Sequence, residues 1–125
     1  MITAVHTLIF SDDPDATRAF FRDVFEWPYV DAHGGWLIFK TGPSEMGVHP
    51  SSNEYEGEVH TYGLKHQVTL MCDDVAATVA ELKAKGVVFV QDVVDQGYGL
   101  VTEFEVPHAG TMQLYEPKHP EAYNL

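Results

Sequence analysis

The stretch Cys72-Asp73-Asp74-Val75-Ala76-Ala77-Thr78-Val79-Ala80 is a second copy of Ser11-Asp12-Asp13-Pro14-Asp15-Ala16-Thr17-Arg18-Ala19. Asp73, Asp74, Ala77, Thr78 and Ala80 each stand 61 residues after Asp12, Asp13, Ala16, Thr17 and Ala19. Each copy follows an apolar run and leads into apolar positions at helical spacing. A repeat of this kind governs the whole fold, and two copies are too few for a solenoid. The pattern implies one pseudo-symmetric domain of two similar modules, with the seam between them as the natural place for a ligand.

Working outward, residues 3–10 alternate as a strand, with His6, Leu8 and Phe10 on one face. Asp13 is a helix cap and Pro14 suits the first helical position, so a helix runs to about residue 25. Strands are expected at 28–31, 35–40 and 45–49, with Gly34-Gly35 and Thr41-Gly42-Pro43 as the turns between them. The second module repeats this order: a strand at 66–71, a helix at 74–85 closed by Gly86, then strands at 87–91, 99–105 and 111–116. The modules span about 1–50 and 65–117, and the polar segment 51–64 joins them. Each reads βαβββ, an α+β pattern in which a helix covers one face of a small sheet.

The chain has 125 residues, a hydrophobic fraction of 45% and an aromatic fraction of 12%, which suits a single folded domain. Its formal net charge is −12, from 19 acidic and 7 basic side chains. Nucleic acid and anionic membrane are both poor partners for such a surface, since each is bound through Lys and Arg. No apolar run approaches the ~18 residues of a membrane span. The N-terminal residues read without a basic region or an apolar core, so a cytoplasmic protein is expected. Cys72 is the one cysteine, which rules out an internal disulfide; a packed, inert side chain is expected there, with a reactive thiol as the alternative.

The doubled βαβββ unit resembles the vicinal oxygen chelate superfamily, which holds glyoxalase, bleomycin-resistance proteins and extradiol dioxygenases. Residues 5–27, 67–88 and 110–117 carry the resemblance, the last reading Gly-Thr-Met-Gln-Leu-Tyr-Glu-Pro. It implies two modules whose curved sheets form a cup, helices outside, commonly in a homodimer. It also implies metal-ligand positions on the first and last strand of each module, which fall here at His6, Gly47, Gln67 and Gln113. Glycine offers no side chain, and neutral carboxamides are weak ligands beside carboxylate or imidazole. The usual site reads as eroded. A zinc, nickel, manganese or iron site would have to be rebuilt from His6 and His49, with Glu45 adding a donor nearer the mouth or with His66 turned inward by a bulge.

By strand parity the cup also receives Leu8, Phe10, Met71, Tyr115 and Thr69, together with Val101, Glu103 and Glu105 from strand 99–105. Strand 35–40 contributes either Trp36 and Ile38 or Leu37 and Phe39. An apolar, aromatic lining with a few polar groups is the composition of a small-molecule pocket. Three functions are consistent with this set. The first is a small-molecule-binding protein of the bleomycin-resistance type, with Gln67, Gln113, Tyr115, Phe10 and Met71 recognising the ligand. The second is a metal-dependent lyase or dioxygenase using His6 and His49. The third is a metal-free lyase or isomerase in which Glu103, raised by desolvation, exchanges a proton with His6. Histidines 60, 108 and 119 read as loop residues.

Overall fold

A computed structural model describes residues 7, 9, 11–45, 52–61, 63, 67–121 and 124. His6, Leu8, Phe10, His49 and His66 lie outside them, as does most of the strand expected at 45–49.

The two copies of the repeat fold by the same local chemistry. Helix α1 spans Pro14–Asp23 and α2 spans Val75–Ala84. The Asp13 carboxylate accepts the Ala16 amide at 3.1 Å, and the Asp74 carboxylate accepts the Ala77 amide at 3.0 Å. These bonds satisfy an amide that the first helical turn leaves open. The Thr78 hydroxyl donates to the Asp74 carbonyl at 2.7 Å, while its counterpart Thr17 lies 3.3 Å from the Asp13 carbonyl and closer, at 2.7 Å, to a tertiary partner, the Pro107 carbonyl. Gly86, at φ 89°, closes α2, and the Val87 amide returns to the Leu82 carbonyl. The first helix stops short of residue 25, and Glu26 takes a left-handed turn at φ 56° just beyond it.

Strands β1 (Tyr29–Asp31) and β2 (Leu37–Phe39) form an antiparallel hairpin. The segment 51–64, expected as a plain connection, contains a second hairpin: β3 (Ser52–Tyr55) pairs with β4 (Glu58–Thr61). Its two-residue loop has Glu56 at φ 51° and Gly57 at φ 80°, the double left-handed geometry whose twist matches an antiparallel pair. His60 therefore sits on a strand and not in a loop.

The second module supplies a full sheet. Strands β5 (Thr69–Met71), β6 (Phe89–Asp95), β7 (Gly99–Glu105) and β8 (Thr111–Pro117) lie in the order β5-β8-β7-β6. The β5–β8 pair is parallel and the others are antiparallel. β6 runs four residues beyond the expected end at 91, with irregular register opposite β7.

The core lies on one face of this sheet. Phe104, Met112 and Leu114 pack with Val75 and Leu82 of α2 and with Phe21 of α1. Side chains of both helices therefore meet in one core. Phe21 stacks on Trp27 with ring centroids 5.3 Å apart, and Phe39 of β2 packs against the same group. Phe39 thus faces the helices, which places Ile38 on the opposite face of the hairpin. The start of α1 is fastened to the turn before β8. The Asp12 amide donates to the His108 carbonyl at 2.9 Å, and the Thr17 hydroxyl donates to the Pro107 carbonyl at 2.7 Å.

Candidate functional site

Alternation along the strands fixes what the sheet shows on the face away from the helices. Since Met112 and Leu114 point to the core, Gln113 and Tyr115 point the other way. In register, Gln113 stands between Thr69 of β5 and Glu103 of β7, and Tyr115 stands between Met71 and Val101. The expected lining Thr69, Met71, Val101, Glu103, Gln113 and Tyr115 is therefore one contiguous surface three strands wide. Gln67 lies at the edge of this surface, exposed, with its amide 3.4 Å from the Thr69 hydroxyl.

Within this surface the polar groups differ in how far the protein satisfies them. Glu103 is half-buried and accepts a hydrogen bond from the Thr111 hydroxyl on β8, which holds the carboxylate along the strand pair. Gln113 is also half-buried, yet its carboxamide makes no hydrogen bond with a described residue. Proton exchange between Glu103 and His6 involves a residue outside the described set.

Tyr115 is only 8% exposed although it faces away from the helices. Its hydroxyl donates to Glu45 Oε1 at 2.8 Å and lies 3.3 Å from His119 Nε2. Tyr98 stands edge-on to its ring at 5.8 Å. Glu45, His119 and Tyr98 come from the segment after β2, the tail and the β6–β7 turn, so Tyr115 is the point where three distant parts of the chain meet. Sequence reasoning placed Glu45 near the mouth but missed His119, because the tail after Pro117 carries no periodic signal. Gly99 has a reason to be glycine: a Cβ there would come within 2.7 Å of the Glu116 carbonyl oxygen and 2.8 Å of the Tyr115 ring.

A cleft of about 290 Å³ opens beside this face, lined by Met71, Cys72, Asp73, Pro117 and Glu121. Burial pushes the Cys72 thiol above its ordinary range, and the thiol donates weakly to the Tyr115 carbonyl at 3.6 Å. A protonated thiol is a poor nucleophile and a poor metal ligand.

The described donors do not fit a divalent ion. Among the described residues no three of His, Cys, Asp and Glu come together. The described members of the implied ligand set, Gln67 and Gln113, are carboxamides. The His6 and His49 site lies outside the described residues, and no chemical step is derived through a metal.

Residues 3–119 match the Glyoxalase/Bleomycin resistance protein/Dioxygenase superfamily. The chain belongs to this superfamily. No curated protein matches its sequence. Among solved structures, a lactoylglutathione lyase from Agrobacterium tumefaciens is similar at 22% identity and TM-score 0.61, over 92% of this chain and 94% of the other. TnmS3, an antibiotic-binding protein from Streptomyces sp. CB03234, is similar at 19% identity and TM-score 0.60, over 94% and 100%. The fosfomycin resistance protein FosX from Listeria monocytogenes is similar at 14% identity and TM-score 0.54, over 99% and 98%. At these identities the likeness is one of fold. Superfamily members bind small molecules on this fold and differ in what they do with them. Among the described residues no helix is long and apolar enough to cross a membrane.

Proposed function

We propose that this superfamily member is a small-molecule-binding protein that captures its ligand on the face formed by Thr69, Met71, Val101, Glu103, Gln113 and Tyr115. One observation carries the reading. The Gln113 carboxamide is half-buried at the centre of that face and has no hydrogen-bond partner among the described residues. A donor and acceptor held there, flanked by the apolar Met71 and Val101, is the equipment of recognition. The acidic charge of the chain favours a neutral or cationic ligand over an anionic one.

The cup is proposed to be completed by a second copy. Val30 and Ile38 pair across β1 and β2 on the face turned from the helices, and they are 64% and 43% exposed. Val94, on the ligand-facing side of β6 opposite Val101, is exposed as well. Apolar side chains gathered on faces turned away from their own core suit closure at a two-fold interface.

The test separates recognition from packing. Fragments of aromatic and cationic character are screened by thermal shift, and each hit is titrated against the wild type and Gln113→Leu. Recognition predicts an unchanged or higher melting temperature for the variant and at least about tenfold weaker binding, equivalent to ~1.4 kcal/mol. A packing role predicts a loss of ~1–3 kcal/mol of stability with unchanged binding, and that result rejects the proposal.

A further inference from the structure

The sheet gathers its polar side chains into one row. Register sets Gln91 of β6, Glu103 of β7, Gln113 of β8 and Thr69 of β5 side by side across the four strands. The next row on the same face is Val94, Val101, Tyr115 and Met71. Rows on one face lie two residues apart along the strands, roughly 7 Å, and neighbouring strands lie about 4.8 Å apart. Glu103 is the one charge in the polar row. It is half-buried, and the hydroxyl that donates to it, from Thr111, is neutral. An ionised carboxylate accepts at about four lone-pair sites, so most of its capacity is open. The ion pairs of the described Lys and Arg side chains go to Asp15, Asp23, Glu26, Glu81 and Asp95, and none goes to Glu103. Glu105, the next carboxylate on the same face of β7, is exposed and adds to the negative charge. A half-buried carboxylate without a counter-ion is costly to hold, and a cation arriving beside it relieves that cost.

We propose that Glu103 makes this face selective for an organic ammonium that bears a hydroxyl on the adjacent carbon and an apolar group beyond it. The proposal rests on the reading of this face as the ligand site. The ammonium donates to the Glu103 carboxylate in a charge-assisted hydrogen bond. Gln113 stands one strand away, opposite Glu103 in register, and its carboxamide both donates and accepts, so it bonds the neighbouring hydroxyl. The apolar group runs along the strands toward the second row, where Met71 follows Thr69 on the same face of β5. A carboxylate in place of the ammonium would face Glu103 and Glu105 and is rejected by like charge.

The experiment titrates three probes of similar shape by calorimetry: phenylalaninol, the diol with a hydroxyl in place of its ammonium, and phenyllactate. The wild type, Glu103→Gln and Gln113→Leu are compared. The side-chain oxygen introduced by Glu103→Gln still accepts the Thr111 hydroxyl, so the strand pair is kept, and the melting temperature of the variant checks this. The wild type is expected to bind phenylalaninol at least about tenfold more tightly than the diol, with phenyllactate weakest. Glu103→Gln should lose that preference while its affinity for the diol stays as it was. Equal binding of phenylalaninol and the diol by the wild type, or a preference that survives Glu103→Gln, overturns the proposal. Gln113→Leu tells this failure from failure of the face itself. If it weakens phenylalaninol and the diol alike, the face stands and the ammonium reading alone falls. If the probes bind and neither variant alters them, both readings fall. A wild type that does not bind phenylalaninol overturns the ammonium reading.

Discussion

Thr17 shows how one side chain outgrows its role in the repeat. In sequence it is the equivalent of Thr78, and both follow a capping aspartate by four positions. Thr78 bonds its own helix start, at the Asp74 carbonyl. Thr17 is buried; its hydroxyl keeps the equivalent contact with the Asp13 carbonyl at a longer 3.3 Å and meets the Pro107 carbonyl at 2.7 Å, while its oxygen lies 2.7 Å from the Ser11 hydroxyl. It therefore links α1 to the turn that leads into β8, the strand carrying Gln113 and Tyr115. Thr17→Ala leaves a carbonyl without its donor in a tight site, so a loss of ~1–3 kcal/mol is expected in urea unfolding. Thr78→Ala, at a partly buried position with a local bond, should cost less than half as much. Equal costs would mean that the tertiary bond adds nothing.

At the scale of elements, what the sequence showed was whatever repeats or alternates. The aspartate caps, Gly86 and the strand at 99–105 stand where periodicity and capping chemistry put them. Which side chains share a face of the sheet was legible because a strand has a period of two, so Met112 and Leu114 in the core oblige Gln113 and Tyr115 to face away. The hairpin at 52–61 was hidden because its second strand is exposed along its whole length, which removes the alternation a reader relies on. Glu56-Gly57 was the available signal, as a glycine in the second place of a two-residue loop. The meeting of Glu45 and His119 at Tyr115 was out of reach for another reason. Glu45, Tyr115 and His119 share no spacing rule, and only the folded chain brings them together. Pairing α1 with α2 in one core was likewise a tertiary outcome, set by where Phe21 finds Phe104 and Leu82.

On the scale of the whole molecule, the described residues form a packed core between helices and sheet and also leave apolar side chains exposed on the faces turned from the helices. Phe21, Phe104, Met112 and Leu114 are buried between helices and sheet, while Val30, Ile38 and Val94 remain exposed on the faces turned from them. A homodimer is expected to cover this surface, seen in sedimentation as twice the 14.0 kDa of one chain. Ile38→Asp should shift the mass toward one chain at micromolar concentration, because an unpaired carboxylate in an apolar interface is costly. A monomer in the wild type would leave Val30, Ile38 and Val94 to solvent and remove the second copy from the account.

The central claim is that the face of the four-stranded sheet turned from the helices receives the ligand, and amide and methyl NMR shifts during the fragment screen test it most directly. The account predicts that shifts caused by bound fragments cluster on Thr69, Met71, Val101, Glu103 and Gln113, with the Gln113 side-chain amide among the largest. Shifts confined to the helix side, or to the exposed hairpin at 52–61, would contradict it.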